Sequence, residues 1–465
     1  MPDRPPDSEP AGDLAPDPGA NTRRYGRDAG SLGMALGAYG VLTYLYFAIA
    51  SHNLDADDYG DLVVLWAAVF IIVATLYRPV EQLLTRSIAH SEAEGRSGGH
   101  EVRNAAVIQS LAAAGFLIVA LAARTPIQDE LLSGSADLYY VFLAAVIGYA
   151  GSFFARGLFA GSRRFGVYAG LILSEAVARI SIAVVVAVGV ASGTTTIALG
   201  IALGPIVSLL VLAPLLGARV GSARQEGAEV PGLTMAQGSG FAVAVLFIMG
   251  SEQILINGGP LFVRLDEGTA AAGFLFNVLM LVRAPLLVFQ AVATSLLPHL
   301  TRLSSIGGER NEASFDQSIR LTLLAIAAFT AATALIVAAA GPQLMQIAFG
   351  DSFDYPRLEL LAMCPIIGLY LASWTLNQAA LAEGRVRAAA SCWVAAAVLF
   401  AVINLVPATD AVTRAELAFG LASLLLASLL ALVHRGGRTR LEDVPTAGTA
   451  QELEARVAVA DETGT

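Results

Sequence analysis

A single arginine within a long apolar run is the residue of this sequence with the clearest potential for chemistry. Residues 268–303 are largely apolar, and Arg283 lies near their middle, with Pro285 close behind it. Arginine at the centre of a membrane helix costs roughly 2.5 to 3.5 kcal/mol, so it usually faces protein or water and often marks a substrate path. Pro285 frees a backbone carbonyl that a protein-lined cavity tolerates and lipid does not. Arg283 is therefore the first candidate for a cavity cation that contacts a substrate, the alternative being a structural arginine paired with a buried acid.

Two glutamates in apolar segments are candidates for ion coupling. Glu175 lies four residues before Arg179, the spacing of a helical ion pair, so mutual neutralisation is favoured over a cavity role for either residue. Glu252 interrupts another apolar segment. It is a candidate for binding a coupling proton or Na⁺, the alternative being a pair with Arg264 or Arg283.

Further polar residues are candidates for contact with a substrate. Arg78 and Arg86 lie near one end of an apolar segment, where they could line the mouth of a cavity, although the arginine excess of cytoplasmic helix ends also explains both. Arg156 is interpreted in that second way. Arg179 is retained as a cavity cation, and Asn277 as a substrate contact, although such amides most often hydrogen-bond between helices.

Composition places the chain among polytopic membrane proteins. Hydrophobic residues make up 56% and charged residues 14% of the sequence, whereas about a quarter of the residues of a soluble domain are charged. The sequence has no GxxxxGK[ST] phosphate-binding loop and no His/Cys cluster, so we expect no ATP hydrolysis by this chain, no metal or other cofactor and no nucleic-acid partner. Energy would then come from an ion gradient, the membrane potential or the gradient of the substrate.

The apolar segments predict an all-α protein with about twelve transmembrane helices, since about 20 residues cross a bilayer. The segments lie near residues 31–52, 59–82, 103–123, 137–159, 166–190, 195–217, 237–258, 269–297, 317–340, 357–381, 387–407 and 413–434. Residues 341–350 could form an additional interfacial helix. Polar composition predicts disordered tails at 1–30 and 435–465, and a linker at 218–236 between two six-helix lobes, 31–217 and 237–434.

Arginines collect in every second loop, and this pattern predicts the orientation in the membrane. The basic loops contain Arg23 and Arg24, Arg86 and Arg96, Arg163 and Arg164, Arg219 and Arg224, Arg302 and Arg310, Arg385 and Arg387, and Arg435 and Arg438. Because cytoplasmic loops hold an excess of basic residues, we expect a multi-pass protein of the cell membrane with both termini in the cytoplasm. The intervening loops are too short to fold into a domain, which argues against an enzyme working through a large external loop.

The two predicted lobes share a sequence pattern. In the second span of each lobe an acidic turn, residues 54–60 or 265–268, precedes a long apolar run that ends in an arginine beside a proline, Arg78 with Pro79 or Arg283 with Pro285. Six spans in each half, with both ends on one side, predict parallel repeats about an axis along the membrane normal. Repeats of this kind build transporters with a central site between lobes.

At two of its segments the chain resembles a known family. The first loop, residues 54–60, ends in Asp58, Tyr59 and Gly60, and the eighth span ends in a Leu-Pro at 297–298. Both features, with two six-helix lobes, resemble oligosaccharide flippases of the multidrug/oligosaccharidyl-lipid/polysaccharide exporter superfamily. The resemblance implies movement of a polyprenyl-diphosphate-linked oligosaccharide across the cytoplasmic membrane for cell-surface polysaccharide biosynthesis. In that case Arg283 is the candidate to grip the diphosphate, and Asn277 is a candidate to contact the sugar. It also implies membrane lipids, a polysaccharide polymerase and glycosyltransferases as partners.

Two other functions remain open. A cation-coupled multidrug antiporter of the same fold needs an anionic cavity, which Glu175 and Glu252 would supply if Arg179 and Arg283 pointed elsewhere. A membrane enzyme such as a polysaccharide polymerase or ligase is the third hypothesis. The short external loops and the lack of a catalytic constellation argue against it.

The alternation of basic loops generates a prediction about topology. A reporter fused after Arg224 or Arg310 is expected in the cytoplasm, and one fused after Ser192 or Glu267 outside, because the arginine excess marks the cytoplasmic loops. Fusions that report activity on one side of the membrane measure this. One reversed reporter in the middle of the chain would show that the number of spans is wrong.

Overall fold

The fold is built entirely from helices in the part of the chain that the structure describes. The computed structural model describes residues 18–93, 99–225, 235–283, 309–350, 353 and 355–442, and the side chains of 33–92, 99–214, 243–283, 315–350, 353 and 355–436. Eleven helices within these ranges are long and apolar enough to cross a membrane, and Thr269–Arg283 is a shorter apolar helix at the position of the predicted eighth span. The predicted all-α, polytopic fold class is confirmed.

The helices follow one another with short connections. In chain order they are α1 (Pro18–Asn53), α2 (Ala56–Leu76), α3 (Arg78–Ala93), α4 (Gly99–Ala122), α5 (Ala136–Gly161), α6 (Phe165–Ala187), α7 (Thr194–Gln225), α8 (Met235–Glu267), α9 (Thr269–Arg283), α10 (Glu309–Phe349), α11 (Arg357–Ala382), α12 (Val386–Leu405) and α13 (Ala411–Glu442). A single π-helical turn, Pro126–Leu131, lies between α4 and α5.

Several helix boundaries differ from those that hydropathy predicts. The second span does not end near residue 82 but continues as α3 to Ala93, and it breaks at Tyr77 because Pro79 has no N–H for the carbonyl four residues earlier. The short run 341–350 is not a separate interfacial helix, since α10 continues through Pro342. Helix also extends into the predicted tails and linker, over 18–30, 218–225 and 435–442, because hydropathy marks only the part of a helix that crosses hydrocarbon.

Helices α1–α7 form an N-terminal lobe and α8–α13 a C-terminal lobe. In the first lobe α6 packs against α1 and α7, and α5 packs against α3 and α7; in the second α13 packs against α11 and α12, and α12 packs against α8. The lobes meet where α2 and α3 pack against α8 and where α1 packs against α10. Movement of one lobe relative to the other would therefore occur along α2, α3 and α8.

The two acidic turns that the sequence relates to each other meet across the lobe boundary. We call the end of the bundle where α1 leads into α2 the first-loop end. There Asp55 caps α2 by accepting the N–H of Asp58 at 2.8 Å. The Thr269 hydroxyl of α9 donates to Asp57 at 2.7 Å, and the Tyr59 hydroxyl donates to Asn277 on α9. These bonds hold the lobes together at the first-loop end.

Glycines allow the closest backbone approach at the same end. A Cβ at Gly60 would lie 1.9 Å from the carbonyl oxygen of Thr269, and one at Gly273 would lie 3.2 Å from the Cα of Gly60. A ring contact between Phe47 and Phe276, with centroids 4.6 Å apart, lies beside this crossing. No side chain fits between α2 and α9 at Gly60 without separating the lobes.

Substitution of Gly60 is predicted to open the first-loop end. In Gly60→Ala the added methyl group collides with backbone that cannot rotate away, so the lobes must separate there. Spin labels at Val190→Cys and Val406→Cys, exposed positions in the two lobes, should give longer distances in Gly60→Ala than in the unsubstituted pair. Gly115→Ala is the matched control, because its Cβ meets no atom within 4 Å. Unchanged distances in Gly60→Ala would contradict the close approach.

Candidate functional site

Five donors surround the carboxylate of Glu175 inside the N-terminal lobe. The donors to Oε1 are Arg179 Nη2 at 2.8 Å, Tyr149 Oη at 2.9 Å and Tyr39 Oη at 3.3 Å, and those to Oε2 are Arg156 Nη2 at 2.6 Å and Ser152 Oγ at 3.2 Å. We call Glu175 and these five residues the Glu175 cluster. It joins α1, α5 and α6, and Glu175 is fully buried. Losing one partner of a buried ion pair typically costs about 3 to 5 kcal/mol, so the cluster fixes these three helices relative to one another.

Packing around Arg179 completes the cluster. The Arg179 guanidinium lies 4.9 Å from the ring centroid of Trp66 on α2 and 5.5 Å from that of Tyr39, a cation–π arrangement that is strongest away from water. On the other side, Gly200 and Gly204 let α7 approach, since a Cβ at either glycine would lie 3.0 Å from a backbone oxygen of α6. The helical pair of Glu175 with Arg179 that the sequence predicts is present.

Sequence reasoning missed Arg156 as a member of this cluster. The interpretation of Arg156 as a residue of a cytoplasmic helix end is wrong: its side chain is only 12% exposed and bonds to Glu175. Its guanidinium also lies 4.6 Å from the ring centroid of Phe153. The available signal was that Glu175 and Arg156 are both charged residues within apolar segments, but spacing along the chain does not reveal a pair between two helices.

A second polar group lies at the boundary between the lobes. Glu252 on α8 accepts a hydrogen bond from Tyr370 on α11 at 3.4 Å, and its other oxygen lies 4.0 Å from Nη1 of Arg78 on α3. We call these three residues the Glu252 group. The side chains of Glu252 and Arg78 are 14% and 42% exposed. Within the described residues Glu252 pairs with Arg78, so the alternative of a pair with Arg264 or Arg283 is wrong.

Arg283 is the last described residue of α9. Its guanidinium lies 5.6 Å from the ring centroid of Phe419 on α13. Its Nη2 is buried and has no hydrogen-bond partner within the described residues, where no carboxylate forms an ion pair with it either. Tyr370 is close enough to interact electrostatically with both Arg283 and Glu252. Arg283 and the Glu252 group therefore share one neighbourhood, in which Arg283 is a cation without a paired acid among these residues.

The structure disperses the other candidate residues. Arg179 is buried within the Glu175 cluster, and Asn277 is buried in the bond with Tyr59 at the first-loop end. Arg86 is exposed on α3. Pro285 and the segment 295–300 lie outside the described residues. A substrate-binding role for Arg78, Arg86, Arg179, Arg283 or Asn277 stays a prediction, and so does ion coupling at Glu252 or Glu175.

A metal centre is not among the features of the described part of the chain. There, no group of three or more His, Cys, Asp or Glu residues could hold a metal ion. The two cysteines, Cys364 and Cys392, are both free and buried. The polar groups described above are charges held within an apolar bundle.

Comparison with known sequences gives distant relatives. No family model matches the chain. An uncharacterised protein of Mycobacterium tuberculosis is 25% identical over 387 residues, which cover 81% of this chain and 85% of the relative. Another uncharacterised protein of the same species is 24% identical over 382 residues, with 80% and 83% coverage.

Solved structures similar to this one are transporters. The inward-facing form of a multidrug resistance MATE family transporter of the MOP superfamily gives a TM-score of 0.66 at 10% identity, covering 88% of this chain and 96% of that one. A Vibrio cholerae MATE transporter gives 0.60 at 14% identity, with 88% and 98% coverage. An outward-facing MATE structure gives 0.59 at 13% identity, with 90% and 97% coverage. This multi-pass membrane chain has the fold of these MATE transporters.

Proposed function

We propose that the protein is a cation-coupled multidrug exporter that works by alternating access, with Glu252 as the residue that binds the coupling cation. The observation that carries this proposal is the position of Glu252. It is a carboxylate at the boundary between two lobes of a MATE-type fold, and the described residues give it one hydrogen bond and one distant ion pair. A carboxylate held so loosely has capacity for a proton or Na⁺.

Glu175 is the weaker candidate for coupling. A carboxylate offers about four lone-pair sites, and Glu175 already has five donors between 2.6 and 3.3 Å. A cation would have to displace Arg156 or Arg179 from a buried pair. Glu175 is better suited to holding α1, α5 and α6 in place.

The arrangement of the lobes supports alternating access. Bonds between Asp57 and Thr269 and between Tyr59 and Asn277 close the first-loop end, which the arginine pattern assigns to the outside. With both termini in the cytoplasm, as we propose, the structure is a state closed to the outside. The higher TM-score to an inward-facing than to an outward-facing MATE structure agrees with this.

Neutralising Glu252 is predicted to uncouple transport. In proteoliposomes containing a fluorescent organic cation, Glu252→Gln should abolish transport driven by a Na⁺ or pH gradient and should leave downhill exchange of the dye largely intact. The reason is that an amide takes up no proton and has no negative charge to balance Na⁺. Glu130→Gln, which makes the same change at an exposed position, is the control. Equal loss of both activities in Glu252→Gln would assign Glu252 to folding or substrate binding.

A second candidate function is flipping of a polyprenyl-diphosphate-linked oligosaccharide, for cell-surface polysaccharide biosynthesis together with glycosyltransferases and a polymerase. The observation that favours it is Arg283, a cation near the lobe boundary for which the described residues provide no acid. An anionic diphosphate would supply the missing counter-charge. The guanidinium of Arg283 would hold two phosphate oxygens at once.

Removal of Arg283 distinguishes the two functions. A charge-assisted hydrogen bond in a partly dry site is worth roughly 1.5 to 3 kcal/mol. Arg283→Ala is therefore predicted to reduce flipping of a fluorescent polyprenyl-diphosphate sugar by about tenfold or more, with Arg283→Lys between Arg283→Ala and the unsubstituted protein.

The control for this experiment is Arg320→Ala, which removes an exposed arginine from α10. Flipping at the normal rate by Arg283→Ala would remove Arg283 from a substrate site. Transport of the organic cation, with no flipping of the lipid by the unsubstituted protein, would decide for the multidrug exporter.

A further inference from the structure

Glu175 and Glu252 differ in the groups that hold them. All five donors to Glu175 belong to the N-terminal lobe, the same lobe as Glu175 itself. Glu252 receives one bond from its own lobe, that of Tyr370, and its ion-pair partner Arg78 comes from the other lobe. Movement between the lobes therefore leaves the Glu175 cluster intact and changes the separation of Arg78 and Glu252.

The helices around this pair place it at the contact between the lobes. Arg78 is the first residue of α3, directly after the break at Tyr77. One turn earlier, Thr75 approaches Gly250 on α8 so closely that a Cβ at Gly250 would lie 3.4 Å from the Thr75 methyl group. The pair of Arg78 with Glu252 thus lies next to a point where α2 and α8 touch.

Arg78 has a second carboxylate within its own lobe. Glu81, one turn further along α3, interacts electrostatically with both Arg78 and Arg156, and it accepts a hydrogen bond from Tyr168 on α6 at 3.2 Å. Arg78 therefore has an acidic neighbour in each lobe, Glu252 in one and Glu81 in the other. If Arg78 moves away from Glu252, the Glu81 carboxylate still balances its charge.

We propose that Arg78 is a tethered counter-ion that competes with the coupling cation for Glu252. With no cation bound, Arg78 pairs with Glu252 across the lobe boundary. Binding of Na⁺ or a proton at Glu252 releases Arg78 to Glu81 and removes the ion pair that joins the lobes. This inference rests on the proposed coupling role of Glu252, and it makes Arg78 a positioning residue that sets the cation concentration at which the lobes move.

The exchange satisfies a requirement of charge balance. A carboxylate in an apolar bundle is costly unless it is paired or protonated. Within the described residues, the charged or titratable groups near Glu252 or Arg78 are Arg78 and Glu81 from α3, Tyr168 from α6, Tyr370 from α11 and, through Tyr370, Arg283 from α9. With the exchange, Glu252 has a cationic partner or a proton in both arrangements.

The test measures the position of the lobes and does not depend on a transported substrate. Spin labels at Arg103→Cys on α4 and Arg387→Cys on α12, both exposed, report the distance between the lobes in the full chain in nanodiscs. Na⁺ is titrated at constant pH, and pH is titrated without Na⁺, so the two arms identify the cation. The native cysteines are buried.

Removal of the competitor should strengthen cation binding. Of the two titrations, one is expected to change the distance between the lobes. In Arg78→Gln the midpoint of that titration should fall at a cation concentration about tenfold lower or more, a change in binding free energy of about 1.4 kcal/mol. Arg78→Lys should restore most of the normal midpoint, and the exchange Arg78→Glu with Glu252→Arg should give a fixed distance that no cation changes. Arg124→Gln, the same change at an exposed arginine near the first-loop end, should leave the midpoint unaltered.

The outcomes separate the two proposals. An unaltered midpoint in Arg78→Gln, in a protein whose transport depends on an ion gradient, overturns the role of Arg78 and leaves the proposed function standing. A distance that responds to neither Na⁺ nor pH in the unsubstituted protein overturns both. A midpoint shift in Arg78→Gln that Arg78→Lys reverses supports competition, because a merely structural role would not alter the cation concentration required.

Discussion

The packing of the N-terminal lobe depends on the hydrogen-bond donors around one buried carboxylate. Glu175 lies inside a bundle that excludes water, so each of its oxygens needs donors from the protein. Three helices supply them, and the two arginines among these donors are themselves held by aromatic rings: Trp66 lies under Arg179, and Phe153 lies under Arg156. Such a site resists change, because separating α5 from α6 takes Arg156 away from Glu175, and moving α1 removes the Tyr39 hydroxyl from the same carboxylate. The cluster makes α1, α5 and α6 a rigid unit.

A transporter that alternates between two states also needs a contact that can be broken. At the first-loop end the lobes are joined by neutral or singly charged hydrogen bonds and by glycine backbone contacts, which are weak enough individually to open. Near the break in the second span they are joined by the pair of Arg78 with Glu252, which is long and partly exposed. Rigid charge clusters within a lobe and loose contacts between lobes are the combination that rigid-body rocking requires.

Sequence reasoning succeeded where the physics is local. Hydropathy located the helices because each span must be apolar over the thickness of the bilayer, and the spacing of Glu175 and Arg179 predicted an ion pair within one helix. It failed for contacts between helices. Nothing in the chain relates Arg156 to Glu175, or Arg78 to Glu252, because those pairs exist only after the helices pack. Hydropathy also ended the second span too early, since the amphipathic α3 continues it beyond the break at Tyr77.

The two arginines of the weak internal repeat have different surroundings in the structure. The sequence treats Arg78 and Arg283 as equivalent residues of two related spans, each beside a proline. In the structure their surroundings differ: Arg78 pairs with Glu252 and interacts electrostatically with Glu81, whereas Arg283 lies over the ring of Phe419 with no paired acid among the described residues. A charge with two acidic neighbours can exchange partners within the protein, but a charge beside a ring attracts an anion from outside. We therefore propose different tasks for the two repeat positions, the movement of the lobes for Arg78 and the binding of a substrate for Arg283.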